Sequence, residues 1–283
     1  MDTKSITLKC RAKINLSLDV TGRRENGYHD VELIFCEIPL HDTLTVSLRE
    51  DGEIKLSCDD ASLPTDEKNI AYRAAQMFFE AAELSCGADI LLEKRIPHGA
   101  GLGGGSSDAA GVLKALNELL DKRFTDTELM QIGARLGADV PFFIIGGCAL
   151  AEGIGEILTP LPECTKFTYV LAKPKESIST KFVYENLDIE NRPPQLCVQA
   201  VAEGIRRGDP EMIYNNSGNI LESVTAKEVP VIDEIKDCLL TLGAKISLMS
   251  GSGTTVFGIF EDAEQAAIAA DEVKKFTDEV YIV

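Results

Sequence analysis

The residues from Ile96 to Ala110, Ile-Pro-His-Gly-Ala-Gly-Leu-Gly-Gly-Gly-Ser-Ser-Asp-Ala-Ala, constrain this chain more than any other stretch. A glycine-dense loop runs straight into an alanine-rich helix. Ala109, Val112, Leu113, Leu116, Leu119 and Leu120 recur at three- and four-residue spacing, so the helix carries an apolar face that must lie on a core. Ser106 or Ser107 is the expected N-cap. Glycines just before a helix let backbone N–H groups meet a ligand with no side chain in the way, at the positive end of the helix dipole. Such a junction suits phosphate.

Several phosphate-binding classes could own the loop. Gly99-Ala100-Gly101-Leu102-Gly103-Gly104 fits the dinucleotide pattern G-x-G-x-x-G. The segment before it, Leu92–His98, carries three charges and a proline, which suits a buried parallel strand badly. A P-loop ends in Gly-Lys-Ser/Thr, and that tripeptide does not occur. Protein kinases carry H-R-D and D-F-G, and neither is present.

The stretch Pro97–Ser107 resembles the phosphate loop of the GHMP small-molecule kinases. Gly101-Leu102-Gly103-Gly104-Gly105-Ser106-Ser107 is similar to the form in one branch, which acts on 4-diphosphocytidyl-2-C-methyl-D-erythritol. Other segments resemble the same branch in order along the chain: Ala12-Lys13-Ile14-Asn15-Leu16, Gly22-Arg23-Arg24-Glu25-Asn26-Gly27-Tyr28-His29, Gly137-Ala138-Asp139-Val140-Pro141-Phe142-Phe143, Glu152-Gly153-Ile154-Gly155-Glu156 and Ser250-Gly251-Ser252-Gly253. The resemblance implies a two-domain α+β fold with an active-site cleft between the domains. It implies transfer of the γ-phosphate of ATP, with Mg²⁺, to the 2-hydroxyl of that cytidine compound in isoprenoid biosynthesis. A GHMP kinase for another alcohol, such as homoserine or mevalonate, is the competing reading. A catalytically dead ligand sensor is another, and retention of Lys13, Asp139 and the loop argues against it.

Composition bounds the rest. No apolar run reaches the roughly 18 residues of a membrane span. The start, Met1-Asp2-Thr3-Lys4, lacks an apolar signal region. Eight scattered cysteines without a C-x-x-C, and only three histidines, speak against zinc and fit reduced thiols in the cytoplasm. A net charge of −18 opposes nucleic acid and anionic membranes as partners. It does not oppose a small anionic substrate, because screening over roughly 10 Å lets the local field dominate. A monomer or weak homodimer is expected.

Residues 5–20 alternate, with Ile14, Leu16, Leu18 and Val20 on one face and Lys13, Asn15, Ser17 and Asp19 on the other: a half-buried strand. Val31–Ile38, Asp42–Leu48, Ala88–Leu92, Cys148–Ala151, Ile157–Leu158, Thr168–Ala172, Ile246–Met249, Thr255–Phe260 and Val280–Val283 read as further strands. Helices are expected over Asn69–Ala82, from the capping box Thr125-Asp126-Thr127-Glu128 to an αL cap at Gly137, near 179–186, 195–206, 210–215 and 231–241, and over Ala263–Phe276. Strict βαβ alternation is missing, which argues for α+β. Two domains, 1–160 and 161–283, are expected to meet at Thr159-Pro160-Leu161-Pro162.

Candidate site residues follow. The loop glycines need no side-chain chemistry. Asp139 stands at an element end, where catalytic groups are often presented. Lys13 and Asn15 share a strand face at about 7 Å spacing. The resemblance makes Asp139 the general base and a substrate contact, with Lys13 its catalytic partner. It assigns Asn15, Tyr28, His29, Thr180 and Tyr184 to the substrate, the rings and His29 holding cytosine. It assigns Asn69, Lys94, Pro97, Gly99, Gly101, Leu102, Gly103, Gly104, Gly105, Ser106 and Ser107 to ATP. Asp108 stands where many members of the branch carry Asn, which puts a negative charge near the phosphates. No protein ligand for a metal is assigned.

Overall fold

The computed structural model describes residues 4–164, 167–191 and 196–283. In chain order the elements are β1 (Ser5–Arg23), β2 (His29–Arg49), β3 (Ile54–Cys58), α1 (Ile70–Ala82), β4 (Gly87–Glu93), α2 (Gly104–Leu119), α3 (Asp126–Ala134), α4 (Val140–Ile145), β5 (Cys148–Glu152), β6 (Ile157–Leu161) and β7 (Thr168–Lys173). Then come α5 (Thr180–Glu185), α6 (Val198–Arg207), α7 (Pro210–Asn216), α8 (Glu222–Glu228), α9 (Val231–Thr241), β8 (Ile246–Met249), β9 (Val256–Phe260), α10 (Ala263–Glu272) and β10 (Glu279–Ile282). The fold is α+β. No helix of the described residues is long and apolar enough to cross a membrane.

The chain forms two compact units, both discontinuous in sequence. The first comprises the segment up to Ala12, Ile38–His98 and Gly103–Gly146; the second comprises Lys13–Glu37, Gly99–Leu102 and Gly147–Val283. Residue 160 therefore lies inside the second unit, in β6.

In the first unit, β4 pairs antiparallel with the end of β2, from Thr43↔Glu93 to Arg49↔Gly87, and parallel with β3. The β3 strand escapes the sequence reading although Ile-Lys-Leu-Ser-Cys alternates apolar and polar residues, because five residues make a short pattern. Helices α1 and α2 pack on each other, and α4 packs on α2. On α2, Ala109, Val112, Leu113 and Leu116 are buried, as the periodicity requires. Gly111 is also essential there: a Cβ would stand 2.5 Å from Cys10 Sγ and 2.8 Å from Leu44 Cδ2. Thr125 forms the expected capping box with Glu128.

In the second unit, the Leu33–Cys36 part of β2 pairs antiparallel with β5, and β5 with β6. A separate antiparallel sheet runs β10-β7-β9-β8, packed against α9 and α10. Leu18 of β1 exchanges backbone hydrogen bonds with Gly218 and Ile220 at 2.8 and 3.0 Å.

Five expectations need correction. The stretches Val31–Ile38 and Asp42–Leu48 are one strand, because Pro39 and His41 continue the extended backbone of β2. β1 is buried on both faces from Ala12 to Val20, so its polar residues are interior rather than solvated. Neither Ser106 nor Ser107 is an N-cap. Gly103 takes that place with φ +73°, and Ser107 N–H donates to Gly103 O at 2.9 Å. Left-handed backbone turns the loop into the helix earlier than a serine cap would. Gly137 is not an αL cap: α3 ends at Ala134, and Leu136 N–H closes a tight turn on Gly133 O at 2.9 Å that leads directly into α4. The helix placed at 195–206 starts at Val198, and residue 195 lies outside the described residues. α8 was not foreseen, since Glu-Ser-Val-Thr-Ala-Lys-Glu has little apolar periodicity.

Candidate active site

The buried polar face of β1 sets the site in the second unit. Lys13 is 4% exposed and Asn15 1%. Lys13 Nζ donates to Asn15 Oδ1 at 2.8 Å and to Gly101 O at 2.9 Å. Its backbone N–H donates to Leu102 O at 2.9 Å. Lys13 thus holds two successive loop carbonyls, one with its side chain and one with its backbone, and the Phe35 ring lies 5.5 Å from the ammonium. A buried ammonium is tolerable only with acceptors of this kind.

Gly101 O also accepts from the Ser250 hydroxyl at 3.0 Å. Gly101 has φ +75°, and a Cβ there would fall 2.2 Å from Ser250 O. The turn Ser250–Gly253 therefore packs on the loop. Two residues missed by sequence reasoning hold this turn. Asn219 Nδ2 donates to Met249 O and Gly251 O, each at 2.7 Å, and Glu222 accepts from Met249 N–H at 2.6 Å. An asparagine just before a short helix and a glutamate that opens it give no sequence signal of such a role.

Helix α5, capped by Ser179, presents two more residues to the same unit. Thr180 Oγ1 lies 2.7 Å from Ser252 Oγ. One turn on, the Tyr184 ring lies 5.3 Å from the His29 ring at 37°. His29 is buried, and burial followed by the nearby Arg23 charge holds its pKa below the usual 6.5. Tyr28 is exposed.

The other group lies in the first unit. Gly103 opens α2, so the N–H groups of the first turn lack intrahelical acceptors. Gly104 is buried; its Cβ would stand 2.9 Å from Ile96 Cγ2 and 3.5 Å from Lys94 Nζ. Gly105 is exposed, Ser106 half-buried and Ser107 buried. Gly99, within the loop of the second unit, is exposed with φ +64°. Pro97 is half-buried. Asn69 caps α1: Oδ1 accepts from Ala71 N–H at 2.9 Å and Nδ2 donates to Pro64 O at 2.8 Å. Asp139 is the N-cap of α4, half-buried. A Cβ on Gly137, two residues before it, would lie 3.8 Å from Ser106 Oγ, so the Asp139 turn borders the first turn of α2.

Lys94 is held by two carboxylates. Its Nζ lies 2.5 Å from Asp42 Oδ2 and 2.7 Å from Asp108 Oδ2. Burial lowers its pKa, but the two carboxylates together outweigh that and leave it raised. For Asp108, burial raises the pKa, Lys94 opposes and Asp42 adds to the rise, for a value of about 7. Asp42 was missed by sequence reasoning; a lone aspartate inside a strand stretch carries no signal of its role.

A helix start built from bare glycine N–H groups can hold a phosphate chain. A fixed ammonium can stabilise charge on a transferred phosphoryl group, and a half-buried carboxylate at a helix start can take a proton. Known proteins resemble this chain over its whole length. Residues 69–147 match the family "GHMP kinases N terminal domain" and residues 201–279 match "GHMP kinases C terminal". The 4-diphosphocytidyl-2-C-methyl-D-erythritol kinase of Alkaliphilus metalliredigens is 45% identical over 99% of this chain and 96% of its own length. The protein of the same name from Acetivibrio thermocellus is 46% identical over 99% and 98%. A crystal structure of 4-(cytidine 5′-diphospho)-2C-methyl-D-erythritol kinase superposes with TM-score 0.84 at 37% identity, covering 98% of each chain. Homoserine kinase from Cytophaga hutchinsonii shares the fold, with TM-score 0.77 at 22% identity over 100% of this chain and 95% of that one. With its glycine-opened helix, its buried Lys13 and full-length likeness to these proteins, the chain belongs to the GHMP kinases and, within them, to the 4-diphosphocytidyl-2-C-methyl-D-erythritol kinase family.

Proposed function

We propose that this protein transfers the γ-phosphate of ATP to the 2-hydroxyl of 4-diphosphocytidyl-2-C-methyl-D-erythritol, releasing ADP and the 2-phosphate. The observation that carries the substrate is the pairing of His29 with Tyr184 in the unit that also holds Lys13. A neutral imidazole beside a tyrosine ring suits a nucleobase, with hydrogen bonds from one and stacking from the other. Thr180 and Asn15 are the further substrate contacts in this reading, and Tyr28 flanks the base.

The N–H groups of Gly103 to Ser106 cradle the phosphates, where negative charge meets the helix dipole. Gly101 and Leu102 carry the loop past Lys13, and Asn69, Lys94, Pro97 and Gly99 belong to the nucleotide side. Asp139 accepts the proton of the attacking hydroxyl. Lys13, oriented by Asn15 and Gly101 O, stabilises the charge that builds on the transferring group. The Ser106 hydroxyl, a hard oxygen near the Gly137–Asp139 turn, suits Mg²⁺, which needs few protein ligands when phosphates and waters fill its shell. When bound, that ion supplies neutralising charge on the β- and γ-phosphates. Asp108 does not suit it, because its carboxyl is buried against Lys94. The protein works in the cytoplasm as a monomer or weak homodimer, with no membrane or nucleic-acid partner.

ADP release measured with the cytidine substrate, homoserine and mevalonate tests the proposal. The cytidine compound alone should support turnover. Turnover with homoserine or mevalonate and none with the cytidine compound would overturn it.

A further inference from the structure

Asp42, Lys94 and Asp108 form a chain of charges that joins the two ends of the glycine loop. Asp42 Oδ1 accepts the backbone N–H groups of Arg95 and Ile96, at 2.5 and 2.8 Å, where the loop begins. Asp42 Oδ2 takes Lys94 Nζ, and the same ammonium takes Asp108 Oδ2 on the second turn of α2, where the loop has ended. Asp42 is 0% exposed and Asp108 2%. Asp108 Oδ1 has no partner among the described residues, so the ammonium is the group that anchors this carboxyl. Gly104, in the first turn of α2, lies close enough that a Cβ would come 3.5 Å from Lys94 Nζ.

Burying three charged groups is costly, and replacing such a set with apolar side chains is often neutral or stabilising. Stability alone is therefore a poor reason for it. A directional, charge-assisted set does something apolar packing does not: it fixes spacing. Here the spacing is that between the last residue of β4's extension and the start of α2. The N–H groups from Gly103 to Ser106 lie within that closed segment. Glycine backbone has the most freedom to lose, so a glycine cradle needs its ends held.

We infer that Lys94 is a positioning residue: with Asp42 and Asp108 it clamps the ends of the loop and so holds the phosphate cradle in its binding geometry. This rests on the ATP reading above but assigns Lys94 a task distinct from touching the nucleotide. Asp42 separates the two tasks, since among the described residues its carboxylate accepts from Lys94 and from the Arg95 and Ile96 backbone, at the start of the loop.

The test uses the full-length protein and the variants Asp42→Asn and Lys94→Gln. The double variant Lys94→Gln/Asp108→Asn is added because it removes one buried charge of each sign and so spares the fold. Amide hydrogen exchange over residues 97–107 is measured without nucleotide, with ATP Kd by titration, KM for the cytidine substrate and a thermal melt alongside. Clamping predicts faster exchange over 97–107 in all three variants. It also predicts an ATP Kd raised tenfold or more, with substrate KM within about twofold of wild type. Unchanged exchange and ATP Kd in folded Asp42→Asn would overturn it, whatever Lys94→Gln does. A lower melting temperature with normal exchange over 97–107 would overturn it too, leaving a purely structural role. Wild-type protein that binds no ATP would refute the ATP reading instead, and the exchange measurement would still judge the clamp.

Discussion

Asp139 and His29 carry different loads, and single substitutions separate them. Asp139→Asn keeps the shape and removes the proposed base. General-base assistance is worth roughly 10²–10⁴, so kcat should fall at least about a hundredfold with ATP KM nearly unchanged. Steady-state kinetics checks this, and a variant keeping a third of wild-type kcat would remove Asp139 from the chemistry. In the proposed function His29 reads the base edge. Cytosine offers a 4-amino donor and an N3 acceptor, and uracil inverts both. Unpaired buried polar groups cost roughly 1–3 kcal/mol each, so the uridine analogue should lose more than tenfold in kcat/KM, and His29→Ala should erase most of that preference. Equal kcat/KM for both analogues would end the pocket assignment. At this scale the sequence was partly legible. Lys13, Asn15, His29 and Tyr184 stood out through resemblance, and the fold brings them together in pairs. Asp42, Asn219 and Glu222 did not stand out. Their importance lies in which backbone amides and carbonyls they meet across long sequence separations, and no local pattern records that.

Among the elements, helix α2 and strand β1 show what pattern can and cannot deliver. The three- and four-residue spacing placed α2 correctly, because burial of an apolar face leaves a periodic trace. The helix start was misplaced, since a glycine at φ +73° does the work assigned to a serine side chain. Gly103→Val tests that start. An L residue in left-handed backbone costs about 1–2 kcal/mol, and the branched methyls crowd the first-turn N–H groups. The melting temperature should fall by several degrees and ATP binding by far more than that loss explains. ATP titration beside a thermal melt measures both; intact ATP affinity would mean the cradle lies elsewhere. β1 failed differently. Its alternation was read as one wet face, yet Lys13, Asn15, Ser17 and Asp19 are all buried. Alternation reports which residues share a face, and it is silent on whether the polar face meets water or other polar protein groups.

For the molecule as a whole, the sequence reading gave the α+β class because helices and strands did not alternate strictly. The make-up of the two units was not legible, because it depends on strand pairing over long separations. The second unit takes Lys13–Glu37 from near the start of the chain and combines it with Gly147 onward. A fragment spanning 161–283 lacks that segment and the Leu18 hydrogen bonds to Gly218 and Ile220. Expressed alone it should not fold cooperatively, as near-UV circular dichroism and a thermal melt would report; a sharp melt like that of the intact protein would refute this. The same arrangement bears on how the protein is made. Residues Leu33–Cys36 leave the ribosome long before Cys148–Ala151, their pairing partners, have been translated. At roughly 5–20 residues per second the delay is on the order of ten seconds. Through that interval a strand destined for the interior has an unpaired edge. Yield in a living cell is then governed by whatever shields the nascent strand, such as a chaperone at the tunnel mouth, as much as by the stability of the finished enzyme.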